Sequence, residues 1–118
     1  MAYDDEDFKN DPRLEFWAEQ RKERGFDDRE LWDLDHTFAS FILPRLKAFK
    51  TYTSGYPSVL TEKEWNHILK DMIYSFELVV AREEFPPIEY TEEQKKLWRK
   101  RKQRGLNLFG KYFSHLWD

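Results

Sequence analysis

From Thr61 to Val80 the chain reads TEKEWNHILKDMIYSFELVV, and no other run restricts the fold as tightly. Trp65, Ile68, Leu69, Met72, Ile73, Phe76, Val79 and Val80 follow at steps of one, three or four residues. That is the period of a helix with one apolar face, and such a face must be covered by other elements. Burying those side chains contributes on the order of 12–24 kcal/mol before chain entropy is subtracted. Thr61 and Glu64 stand at capping-box spacing, so each side chain satisfies the other residue's backbone N–H. Leu60 and Trp65 flank that cap at the spacing of a hydrophobic staple and are expected to touch. Phe85-Pro86-Pro87 ends the run.

Three more helices are expected around this one. The first covers about Pro12 to Arg24, with Asp11 as cap, Leu14, Trp17 and Ala18 as a narrow stripe, and Gly25 as left-handed stop. The second covers about Asp28 to Lys50, capped by the Asp27/Glu30 pattern, with Leu31, Leu34, Phe38, Phe41, Ile42, Leu46 and Phe49 as its apolar face. Pro44 cannot donate to the Ser40 carbonyl, so a kink or break is expected near Leu43. The last begins after Thr91, which makes a second capping box with Gln94, and Trp98, Gly105, Phe109, Tyr112, Phe113 and Leu116 share a face. Gly105 either admits a neighbouring helix at close range or breaks the element. No alternation of period two survives. The expected fold is all-α: a small four-helix bundle-like domain over residues 11–118, kinked at Pro44, behind an acidic segment 1–10.

With 118 residues the chain can hold one core. It has no cysteine, which excludes disulfides, thiol nucleophiles and thiolate metal sites. The start, MAYDDEDFKN, is acidic where a secretory signal is basic and then apolar, and no apolar stretch approaches the roughly 20 residues of a membrane span. A cytosolic protein without membrane contact is expected. The net charge of −3 is unevenly spread. Residues 1–40 hold 13 acidic and 6 basic side chains, and residues 91–118 hold 3 and 8. The acidic front is therefore expected to pack near the basic tail, in the same chain or in a neighbouring one.

Candidate chemistry is sparse. Asp33/His36 and Glu64/His67 match the carboxylate-x-x-histidine spacing of helical metal sites. On a helical wheel both imidazoles face away from their apolar stripes, so they are read as surface histidines and no metal is expected. No serine lies in an elbow or glycine-rich context, so no catalytic residue and no cofactor are assigned. Asp35 and Arg45 fall on the apolar side of the second helix, and Arg101 and Lys102 near that of the last. A charge there needs a partner or a polar pocket. Asp35 with Arg101 is the expected ion pair. The functional alternative is an anionic, planar ligand held by Arg45, Tyr52, Tyr56 and Arg101, with Trp32. Seven cations in Lys95–Arg104 are read as a solvated or internally neutralised face rather than a nucleic-acid site. The C-terminal Phe109, Tyr112, Phe113, Leu116 and Trp117 are too many for one stripe, which points to an interface in a homo-oligomer.

Several stretches are specific in combination: Trp32 to Asp35, Ile42 to Leu46, Gly55 to Pro57, Thr61 to Trp65, and Leu108 to Phe113. Over residues 25–118 the chain resembles a widespread family of small, uncharacterised tailed-bacteriophage proteins. The resemblance implies a viral origin and expression in the host cytoplasm, and it carries over no catalytic residue. The expected role is a non-catalytic binder that counters host anti-phage defence. It would sequester a cyclic nucleotide or ADP-ribose-type signal, or block a host defence protein. A minor virion or assembly component is the alternative, and a metal-dependent enzyme ranks below both.

Overall fold

Residues 3–118 are described by the structure, a computed structural model. They form five α-helices: α1 (Leu14–Arg24), α2 (Arg29–Trp32), α3 (Leu34–Tyr52), α4 (Glu62–Val80) and α5 (Glu92–Lys111). Short 3-10 turns lie at Asp5–Phe8 and Phe113–His115, and there is no strand among the described residues.

The amphipathic run is α4, and it packs against α3 on one flank and α5 on the other. Its capping box forms as expected, with Thr61 N–H donating to Glu64 at 2.9 Å and Glu64 N–H to Thr61 Oγ1 at 3.1 Å. Leu60 packs against the cluster that contains Trp65. The buried core comprises Ala39 and Leu46 from α3 and Trp65, Leu69, Met72 and Phe76 from α4. The second capping box, Thr91 with Gln94, starts α5.

The second helix breaks in a different place from the one expected. α3 runs without interruption through Pro44, and the break falls at Asp33, which adopts φ −140° and ψ 60° between α2 and α3. Asp33 is held there by the guanidinium of Arg82, at the C-terminal end of α4. A tertiary ion pair, invisible to periodicity, sets this boundary. The inward face of α3 is also rotated from the one expected. Ala39, Ile42, Leu43, Leu46 and Phe49 face the core, while Leu31, Leu34 and Phe41 are exposed.

Gly105 resolves in favour of close approach. α5 is continuous through it, and a Cβ there would lie 1.9 Å from Ser75 Oγ and 2.3 Å from the Asp71 carbonyl oxygen of α4. Ser75 Oγ donates to the Lys102 carbonyl at 2.7 Å across the same crossing.

Residues 3–33 organise around a buried guanidinium. Arg29 and Asp27 are fully buried, with Arg29 Nη2 2.8 Å from Asp27 Oδ2 and 2.7 Å from Asp5 Oδ1. Arg21 adds a second cation 2.6 Å from Asp27. The guanidinium of Arg29 stacks over Trp17 at 4.3 Å and Phe8 at 5.2 Å, and Tyr3 and Trp32 close the aromatic cluster. The acidic front is thus neutralised locally by its own arginines. None of the ion pairs among the described residues joins it to the basic tail; where residues 1–40 meet the tail within one chain the contact is aromatic, Phe38 on Phe109 at 6.0 Å.

The molecule is flat, with extents of 52 × 41 × 20 Å. Its radius of gyration is 17.7 Å, where a compact chain of this length has about 13.5 Å. Its accessible surface is 8491 Å², where a compact monomer of this mass has about 6,900 Å².

Two outcomes are expected. Gly105→Ala forces α4 and α5 apart and lowers unfolding free energy by about 1–3 kcal/mol in urea titrations. Adding Ser75→Gly does not restore it, because the Asp71 backbone still clashes. Burial opposes the charge on Asp27, but its bonds to Arg29 and Arg21 hold its carboxyl below the usual range. A depressed folded pKa contributes stability above the unfolded value near 4 and loses it as pH falls through the folded value. Near-UV circular dichroism of the Trp17 cluster should therefore be constant from neutral pH to about 4 and collapse below.

Candidate functional site

At the end of the layer where α4 stops and α5 starts, α3 and α5 diverge over α4. A groove of about 730 Å³ opens between them. Its floor is Phe76 and Val79 of α4. Phe38 of α3 forms one wall, and Trp98, Leu106 and Phe109 of α5 form the other. The rings interlock edge to face: Phe38 and Phe109 each meet Phe76, at 6.0 and 5.0 Å between centroids, and each other at 6.0 Å. Phe85, in the loop that follows α4, stands exposed at the rim.

Local sequence explains this arrangement. α4 ends in a turn in which Arg82 takes a left-handed φ of 58°, Glu83 N–H donates back to the Leu78 carbonyl at 2.9 Å, and the chain swings out. Pro86 and Pro87 then forbid helix, so Phe85 is held in an irregular segment beside the groove. The α5 wall is a helical face, residues 98, 102, 106 and 109, at steps of four, four and three.

The rim carries both signs of charge. Asp35 and Glu84 supply carboxylates, and Arg99 and Lys102 supply cations. Lys102 Nζ donates to the Glu83 carbonyl at 2.9 Å and lies 5.4 Å from the Trp98 ring. This pins the loop to α5. Just behind the rim the Arg82 guanidinium holds the Asp33 carboxyl below its ordinary range. Such an arrangement presents an apolar, aromatic trough with a mixed polar edge, suited to an amphipathic surface.

The residues expected to hold a nucleotide are dispersed. Arg45 and Tyr52 are exposed on α3, where the Arg45 guanidinium lies 3.8 Å from the Phe41 ring and donates to the Phe41 carbonyl at 2.8 Å. Tyr56 is exposed in the α3–α4 loop. Arg101 stacks on Tyr74 at 3.7 Å and makes no ion pair with Asp35. Trp32 belongs to the aromatic cluster around Arg29. None of the five lines the groove. The expectation that Asp35 and Arg45 sit on a buried face fails because the core face of α3 is rotated away from both.

The histidines separate. His36 Nε2 lies 3.0 Å from the Val80 carbonyl at the end of α4, half-buried instead of facing solvent. His67 is exposed near the start of the same helix, among Lys50, Lys63 and Lys70. Thirteen residues of helix, about 20 Å, lie between those points, so the two carboxylate-histidine pairs do not share a site. Of the tail residues expected at an oligomer interface, Phe109, Tyr112 and Leu116 pack against the chain's own core, while Phe113 and Trp117 are exposed.

Sequence reasoning passed over Glu84, Phe85, Arg99 and Leu106. The spacing of the α5 face could have found Leu106, but nothing local reveals that Phe85, read only as a helix stop, turns back to a groove. No family model matches the chain, and neither a curated protein nor a solved structure is similar to it.

Proposed function

We propose that this chain is a non-catalytic helical binding protein whose groove takes an amphipathic segment of another protein. In the setting that the bacteriophage resemblance implies, it blocks a host defence protein in the cytoplasm of the infected cell. The observation that carries this reading is the groove of about 730 Å³ walled by Phe38, Phe76, Trp98 and Phe109. Its charges point to the occupant. A helix laid along the trough would meet Asp35 and Glu84 with basic side chains and Arg99 and Lys102 with acidic ones, its apolar face on the rings. The two carboxylates offset the two cations on the same rim, and a balanced edge along an apolar trough favours an amphipathic segment over a phosphate, which ranks the protein-blocking version above nucleotide sequestration.

The test is phage plating on a bacterium whose defence system this chain overcomes. Phe85 is exposed, so Phe85→Asp leaves the fold intact by far-UV circular dichroism and puts a charge on the apolar rim. It should lower plating efficiency about tenfold or more. Unchanged plating would exclude the groove as the working surface. Calorimetric heat with cyclic oligonucleotides or ADP-ribose would return the reading to nucleotide sequestration.

A further inference from the structure

The outer face of α3 carries Leu34, Phe38, Phe41, Arg45, Ala48 and Tyr52, at successive steps of four, three, four, three and four residues. This is the a/d spacing of a coiled-coil seam, the stripe by which one helix meets another. All six are exposed, Leu34 by 57%, Phe41 by 54% and Tyr52 by 83%. The core contacts of α3 are made by a different face, through Ala39, Leu43 and Leu46. Apart from Phe38, whose ring meets Phe76 and Phe109, the heptad stripe is therefore left without a helix to pack on, beside a surface already larger than a compact chain shows.

We infer that this seam is a homodimer interface in which two copies of α3 pack antiparallel about a two-fold axis near Leu43. In that register Leu34 faces Tyr52 of the second copy, Phe38 faces Ala48, and Phe41 faces Arg45. Each layer is complementary. The Phe38 ring opposes the small Ala48, and the guanidinium that caps Phe41 within one chain is placed over the second copy's Phe41 as well. A parallel pair would instead set Arg45 against Arg45 and Phe38 against Phe38, placing like charges together and crowding the rings. The area suffices. The surface exceeds that of a compact monomer by about 1,600 Å², and a standard interface removes about 800 Å² from each partner. The seam and the groove share Phe38, but Phe41, Arg45, Ala48 and Tyr52 lie outside the groove and Phe85 lies outside the seam, so substitutions at Phe41 and Phe85 separate the two surfaces.

Light scattering on the full chain tests it. The expected mass is twice the 14.6 kDa of one chain. Phe41→Glu, at an outward-facing position, should leave helicity unchanged and raise the dimer dissociation constant about tenfold or more. Orientation is read from a spin label on Thr51→Cys, clean because the chain has no cysteine. The antiparallel register separates the two labels by 16 residues of rise, about 24 Å, whereas a parallel pair brings them within about 10 Å. A monomer at every concentration would overturn the proposal, and so would a short label distance. A dimer that tolerates Phe41→Glu but falls apart on Trp117→Ser would move the interface to the tail and overturn it equally.

Discussion

The distance between α4 and α5 decides the rest of the helical layer. Helices with ordinary side chains at the crossing pack about 8–10 Å apart. Here the side chain is missing from α5, and Ser75 of α4 occupies the space where a Cβ would stand. The hydroxyl of Ser75 then reaches the Lys102 carbonyl, so the crossing is fixed by a hydrogen bond as well as by shape. With α5 drawn in, Phe109 meets Phe76 and Tyr112 meets Trp65. Those contacts turn the amphipathic face of α4 into a core that is covered from both flanks.

A second organising centre lies at the other end of the chain and works by different physics. Around Arg29 the aliphatic content is low, and order comes from one buried cation. Asp27 and Asp5 neutralise it, and the rings of Trp17 and Phe8 face it. Leaving a buried guanidinium unpaired is costly, so the cluster forms together or not at all. Arg82 and Asp33 then join this lobe to the end of α4. The same contact lies at the break between α2 and α3.

These two centres leave apolar surface uncovered, and that is the link to function. The three long helices form a thin layer, and a thin layer cannot hide both faces. Phe38, Phe41 and Phe85 remain in solvent with Phe113 and Trp117. Phe38 belongs both to the groove and to the α3 seam, the two surfaces for which a foreign segment and a second copy are proposed.

The features legible in the residue order are local. The capping boxes at Thr61 and Thr91, the left-handed stop at Gly25, the all-helical class and the apolar face of α4 follow from hydrogen bonds and spacing within a few residues. Gly105 was legible as a choice between two outcomes, because its lack of a side chain permits both. Only tertiary structure decided the break at Asp33, the rotation of α3 that exposes Leu34 and Phe41, the local neutralisation of the acidic front, and the return of Phe85 to the groove. Each of these rests on a partner distant in sequence or on which of two apolar stripes wins the core. On α3 both stripes have the helical period, so periodicity alone does not choose between them. The core took the stripe of Ala39, Ile42, Leu43, Leu46 and Phe49, and left Leu34, Phe41 and Tyr52 in solvent.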